Sequence, residues 1–316
     1  MRTYIVRRLL QLMPTLLAIT LLVFIAMHVL PGDPLIGLLG DTYDEENAQL
    51  LRQEYGLDRP LLVQYVTWLG KLVQGDWGTS ILNGRPVLKD MLWYLPVSIE
   101  LIVAALCVSI TIALPSGIMA AVRQNTWVDY SAMTTALVGV SAPDFFFGVI
   151  MLLLFTIVLE VFPSSGWAPL SQGVGAHLSH LIMPAITLGF SHAAILARML
   201  RGTMLEVIRM EYITTARAKG LDGWGVIVKH ALKNALIPVV TILGLQLGFL
   251  IGGAVVVETL FALPGLGSFG MQAIFARDYP QVQGFVLFVA LVFTCSNVLV
   301  DVLYAFIDPR IRYEAK

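Results

Sequence analysis

Three acidic residues stand in or beside long apolar stretches: Asp144 in "SAPDFFFG", Glu258 in "VVVETLF" and Asp301 in "VDVLYAF". A carboxylate is costly in hydrocarbon, so an acid at such a position faces protein or a water-filled route and is by default a candidate for a solute path or gate. The competing role is to brace helices near the ends of spans. Glu258, just ahead of "LPGLG", is the best placed of the three for an outer mouth. Ser191 and His192 in "GFSHA" supply a nucleophile and a base by type. Adjacent helical residues point about 100° apart, however, so these two cannot form a pair. Ala193 also breaks the G-x-S-x-G pattern, and no H-E-x-x-H occurs. Cys107 and Cys295 lie within apolar runs at no metal or redox spacing and read as packing residues. No His/Cys cluster with ligand spacing stands in the apolar stretches, so no metal site is expected.

The elements that must position them follow from composition. The 316 residues are 57% hydrophobic and 13% charged, with a mean hydropathy of +0.80, against roughly 25% charged in soluble domains. A net charge of −1 argues against a nucleic-acid partner, whose phosphates need cationic neutralisation. Six apolar runs, near residues 9–30, 97–122, 131–162, 181–200, 236–263 and 284–307, are long enough to cross about 30 Å of hydrocarbon. Lipid-facing backbone must satisfy its own hydrogen bonds, which predicts an all-α membrane protein with six transmembrane helices. The third run is expected to kink or break at Pro143, which lacks a backbone donor.

Fourteen of the twenty Lys and Arg lie before the first run, after the second, from Arg198 at the end of the fourth to Lys233 ahead of the fifth, and after the sixth. Basic residues collect on the cytoplasmic side, so both termini are expected there. The chain divides on this reading into a cytoplasmic start with the first span (1–30), an extracytoplasmic segment (31–96) and a five-span core (97–316). The first span is expected to remain rather than be cleaved as a signal peptide, being longer than an h-region and lacking an A-x-A site. "RPLLVQYVTWLGKLV" in the outer segment has the spacing of an amphipathic helix.

The largest cytoplasmic connection, about 202–235, contains "EYITTARAKGLDGWGVIVKHALKNALIP". Its small residues Ala216, Ala218 and Gly220 would let another surface approach, and Arg217 and Lys219 offer charge-assisted contacts to acidic groups. Gly220 can end a short helix with a left-handed turn. In the fifth run, Gly244, Gly248 and Gly252 recur every four residues and predict a groove for close helix packing, within the subunit or against a partner.

The segment resembles the cytoplasmic "EAA" coupling motif of ABC importer permeases, in the form used by the dipeptide, oligopeptide and nickel family. "EYITTARAKGL" and "HALKNALIP" carry the likeness. Thr214, Thr215 and Ala216 replace the leading Glu-Ala-Ala, and Gly220 and Pro238 are 18 apart, as in the peptide variant. "RRLLQLMPTLLAITLLVFIAMHVLPGDP", "YGLDRPLLVQYVTWLGKLVQGDWGTS", "SAPDFFFG", "VVVETLFALPGLG", "RDYPQVQG" and "VDVLYAFIDPRIR" resemble the same family in the same order, with Leu263 in place of a usual Trp.

The resemblance implies a type I ABC importer transmembrane domain in the bacterial inner membrane, embedded in lipid. It implies a heterodimer with a second homologous permease, two cytoplasmic ATP-binding subunits, and cargo delivered by an extracytoplasmic substrate-binding protein. Glu211, Tyr212, Thr215, Ala216, Arg217, Ala218, Lys219, Gly220 and Leu221 would dock on the ATPase. The chain has no G-x-x-x-x-G-K-[ST], so it is expected to bind no cofactor and to be no enzyme, with ATP and Mg2+ on the partner subunits. Di- or oligopeptides are the expected cargo, with nickel chelates or glutathione as alternatives. An ion-coupled secondary transporter is the rival of another class. It would show two related halves, which are not visible, and needs no coupling loop.

Overall fold

The computed structural model describes residues 2–29, 44–54 and 56–307. The described residues are helical apart from turns and one isolated antiparallel bridge between Thr79 and Pro86. The helices are α1 (Arg2–Val29), α2 (Glu45–Glu54), α3 (Leu61–Val73), α4 (Val87–Val122), α5 (Trp127–Ser141), α6 (Asp144–Leu152), α7 (Val174–Ile208), α8 (Glu211–Ala218), α9 (Lys233–Leu260), α10 (Leu266–Ala276) and α11 (Tyr279–Ile307). Wider π-helical turns follow α6 at Leu153–Val158 and precede α9 at Val226–Leu232.

Among the described residues, five helices are long and apolar enough to cross a membrane, or six if the bent pair α5–α6 counts as one broken span. The break falls at Pro143. Ala142 is pushed to the extended region (φ −83°, ψ 132°), as expected ahead of proline, and the two segments meet at 105°. The helices overrun the apolar runs that predicted them. α4 starts ten residues before Val97, with Lys89 and Asp90 in its first turn, and at 36 residues rises about 54 Å, well beyond the hydrocarbon thickness. α7 similarly extends past both ends of residues 181–200. Cys107 and Cys295 are exposed, which corrects their reading as packing residues.

Two compact units form, residues 1–97 with 264–298, and residues 98–263 with 299–316. They cut the chain differently from the three-part division above. In the first unit, α3 lies on α1: Tyr65 OH pairs with Thr20 Oγ1 at 2.9 Å, and Phe24 meets the rings of Tyr65 and Trp68 at 5.4 and 6.3 Å. The turn after α3 is tied to the start of α11. Asp278, almost fully buried, accepts a short hydrogen bond from Ser80 Oγ and a 3.3 Å bond from the Ile81 amide. Arg277, left-handed at φ 57°, ends α10 and turns the chain so that Asp278 points inward.

In the second unit α7 is the central helix, approached by its neighbours at glycines. A Cβ on Gly189 would lie 2.5 Å from the Ala105 carbonyl of α4, and one on Gly253 would lie 2.9 Å from Leu188. Gly117 and Gly139 bring α4 and α5 equally close to α7. At one end of α7, Arg201 grips Asp129 of α5 through Nε and Nη2 at 2.5 and 2.6 Å.

Candidate coupling segment and translocation path

α8 is a two-turn helix held on its own subunit by one face. Ile213 and Ala216 are buried in a cluster with Leu200, Met204 and Val207 of α7 and with Val226, Ile227 and Ala231 of the π turn. Tyr212 adds a polar clasp: its OH accepts from Asn234 Nδ2 at 2.7 Å and lies 3.5 Å from the His230 carbonyl. The helix stops as its sequence dictates. Gly220 adopts φ +77° and its amide bonds the Arg217 carbonyl at 2.9 Å. Asp222 then caps the next turn, accepting from the amides of Trp224 and Gly225 at 3.1 Å each.

The opposite face is open. Glu211, Thr215, Arg217, Ala218, Lys219, Gly220 and Leu221 are exposed, and a Cβ on Gly220 would meet no atom within 4 Å. Ala216 does not join them. Its side chain turns inward, so its smallness serves close packing of α8 on α7 rather than approach of another surface. Trp224, absent from the sequence reading, is 55% exposed and extends the open face beyond Leu221. Its bulk and its place beside a capping Asp were the available signals.

The three acids are not brought together. Asp144 opens α6 at the break and is partly exposed, with Oδ2 beside the bare Cα of Gly253, 3.5 Å from where a Cβ would sit. Glu258 is wholly buried and accepts from Ser98 Oγ at 2.6 Å, while its carbonyl accepts from the Leu263 amide at 2.8 Å. It ties α4 to the end of α9. The side chain of Asp301 lies outside the described residues.

Sequence reasoning weighed His192 only as a base beside Ser191 and passed over the polar groups around it. His192 Nδ1, Gln246 Oε1 and Thr187 Oγ1 are buried without a hydrogen-bond partner among the described residues, and Gln246 Nε2 donates to the His192 carbonyl at 3.3 Å. Single His, Gln and Thr residues in apolar helices are common, so only tertiary placement reveals this polar seam.

The glycine stripe of α9 splits. Gly248 is buried, Gly244 is partly buried, and Gly252 is exposed with open space around it. The close contact with α7 falls one residue on, at Gly253.

These helices, broken span and exposed connection match a known architecture. The family of binding-protein-dependent transport system inner membrane components matches residues 113–313, and its N-terminal companion matches residues 1–85. The chain belongs to this family. As a member, it is a multi-pass protein of the bacterial inner membrane and a permease that works with other transporter subunits, ATP hydrolysis residing on a separate one. It is 42% identical over 314 residues to a putative peptide transport system permease of Brucella abortus, covering 99% of this chain and all of that one. It is 41% identical over 333 residues to a dipeptide transport system permease of Alkalihalophilus pseudofirmus, and 41% over 315 residues to a glutathione transport system permease of Escherichia coli, with the same coverage. A chain of the MetNI methionine ABC transporter, solved in inward-facing conformations, superposes with a TM-score of 0.55 at 18% identity, covering 71% of this chain and 98% of that one. An amino acid ABC transporter gives 0.50 at 14%, over 69% of this permease and 94% of that chain. Both likenesses bear on the fold.

Proposed function

We propose that this permease carries di- and oligopeptides inward, with both termini and the 202–235 connection cytoplasmic and residues 31–96 outside. A binding protein delivers the cargo, a second homologous permease completes the path, and two ATP-binding subunits holding ATP and Mg2+ drive it. Glu211, Tyr212, Thr215, Arg217, Ala218, Lys219, Gly220 and Leu221 form the docking surface for one ATPase. The observation that carries this reading is the division of α8 into a face fastened to its own subunit and a face left open, ending in a glycine with nothing around it. A short helix fastened in this way transmits a push to α7 and α9 as a lever rather than absorbing it. Asp144, at the broken joint, is the residue that faces the path. Glu258 is a brace between α4 and α9. The peptide cargo rests on relatives named for peptides, dipeptides and glutathione.

The test is a mild-detergent affinity pull-down of the chain expressed with its chromosomal neighbours, followed by ATPase and uptake assays. A second permease and ATPase subunits are expected to come down, with Gly220→Arg retaining the permease and losing the ATPase. Recovery of the chain alone, with uptake abolished by dissipating the proton gradient and indifferent to ATP, would identify a secondary transporter. Competition of uptake by dipeptides, glutathione and a nickel chelate then ranks the cargo.

A further inference from the structure

Helix α3 has three faces, and among the described residues one of them packs on α1. Gln64, Tyr65 and Trp68 lie along Thr20, Phe24 and His28 of α1, with His28 Nε2 3.2 Å from Gln64 Oε1. Leu62, Val66, Leu69 and Val73 follow at i, i+4, i+7 and i+11, a stripe roughly 100° around the helix from the first. Leu62, Val66 and Val73 are 74%, 60% and 81% exposed. Thr67, Lys71 and Gln74 form the third face, polar and exposed. Between α1 and the apolar stripe runs a cavity of about 280 Å3, lined by Leu21, Phe24, Ile25, Val29, Leu61 and Tyr65 among others. Its α1 wall continues down the exposed Leu17, Leu21, Leu22 and Ile25 of a helix apolar enough to span the bilayer.

We propose that α3 lies flat at the water–lipid boundary on the outer side, and that the groove between α1 and α3 binds the acyl chain of a bilayer phospholipid. The groove is continuous with the face of α1 that the bilayer bathes, so hydrocarbon is the medium that reaches it. Depth agrees. Phe24, at the centre of the contact, stands five residues, about 7.5 Å of helix rise, before Val29, beside which the apolar run of the sequence gives way to Pro31-Gly32-Asp33, and interfacial helices sink about 5–10 Å into the boundary. The polar face then turns to water, with Lys71 at headgroup level, and Tyr65 and Trp68 occupy the layer where such rings collect. Besides ordering the segment that carries Ser80, a flat α3 fixes how deeply the first span sits.

The test uses the full chain in its transporter complex, reconstituted in phospholipid vesicles, with Cys107→Ala and Cys295→Ala as background. Nitroxides are placed at Val66→Cys and Val73→Cys on the stripe, and at Thr67→Cys and Lys71→Cys on the polar face. Collisions with oxygen should exceed those with a water-soluble nickel chelate several-fold at the stripe, and the order should reverse on the polar face. A phospholipid with a photoactivatable acyl chain should label the groove residues, and Leu61→Trp should cut that labelling several-fold while the nitroxide pattern persists. A stripe as open to the nickel chelate as Thr67 overturns the interfacial placement. Shielding from both reagents means a protein partner covers the stripe and overturns it equally, and absence of groove labelling overturns the acyl-chain site.

Discussion

The OH of Tyr212 accepts a hydrogen bond from Asn234 Nδ2 at 2.7 Å, across 22 residues of chain. The pair joins α8 to the start of α9, and with the His230 carbonyl nearby it closes the coupling segment into a loop clasped at its base. This contact gives a physical reason for "EY" and "HALKNA" to belong to one segment. The tyrosine fastens α8, and the asparagine holds the tyrosine.

Tyr212→Phe removes the clasp while leaving Ile213 and Ala216 packed. The bond is exposed, so its loss should cost about 0.5–1 kcal/mol, the lower part of the usual range. The expected phenotype is a complex that assembles normally but hydrolyses ATP with weaker stimulation by cargo. A double-mutant cycle with Asn234→Ala should give a coupling energy above about 0.5 kcal/mol. Additive effects would mean that the two side chains do not act together.

Gly220 separates backbone strain from docking. At φ +77°, Asn is the best tolerated replacement, whereas a residue with a larger side chain incurs roughly 1–2 kcal/mol of left-handed strain. No neighbour among the described residues opposes either. Gly220→Asn and Gly220→Arg should therefore both insert and give similar thermal unfolding, within a few degrees. Only the arginine should lose the ATPase. Equal retention of ATPase by both variants would remove this surface from the interface.

Much of the membrane architecture was legible because its signals are local. Apolar length marks spans, Pro143 marks the break, and Gly220 marks the end of α8. The early start of α4 was not legible, because residues 87–96 are helical but mixed in polarity and so do not extend the apolar run. Ala216 was misread for a related reason, since a small residue permits approach equally on either face and only Ile213, three residues earlier, decides which way it points. Close contacts at Gly117, Gly189 and Gly253 sit in no repeating pattern. The Ser80–Asp278 bond joins residues 198 apart, a distance over which sequence pattern carries no pairing information.

That bond should be a principal fastening of the turn between α3 and α4. Asp278 is buried, with Ser80 Oγ and the Ile81 amide as partners, so Ser80→Ala leaves one carboxylate oxygen short of a donor at a cost of about 1–3 kcal/mol. The expected result is faster proteolysis within residues 74–86 in proteoliposomes with that face outward. Binding of ATPase subunits at α8 should be unaffected. Unchanged cleavage would show that the turn is held by its apolar contacts alone.

Arg201 and Asp129 form the corresponding fastening between α5 and α7. The contact is two-pronged, and Asp129 Oδ2 also accepts the Asn125 amide at 3.0 Å. Arg201→Met leaves a buried carboxylate without its cation, which should cost about 3 kcal/mol, the low end for a buried pair because the arginine is partly exposed. Arg201→Lys keeps the charge but not the fork, and should recover only part of the loss. Thermal unfolding of the purified complex in detergent measures both, and full recovery by lysine would reduce the pair to simple charge attraction.

Glycines on α7 and α9 distinguish packing within the subunit from packing against another. At Gly189 a Cβ would sit 2.5 Å from a backbone carbonyl that cannot swing aside, so Gly189→Leu should prevent stable folding of the subunit itself. At Gly252 there is open space, so Gly252→Leu should leave the isolated subunit folded and monodisperse. Any effect of that leucine must therefore come from outside the chain. If the second permease packs against this stretch of α9, co-purification with it should fall several-fold in Gly252→Leu while the subunit's own unfolding temperature stays put. If co-purification is unchanged, the exposed face around Gly252 meets lipid, and the partner surface has to be sought on another helix.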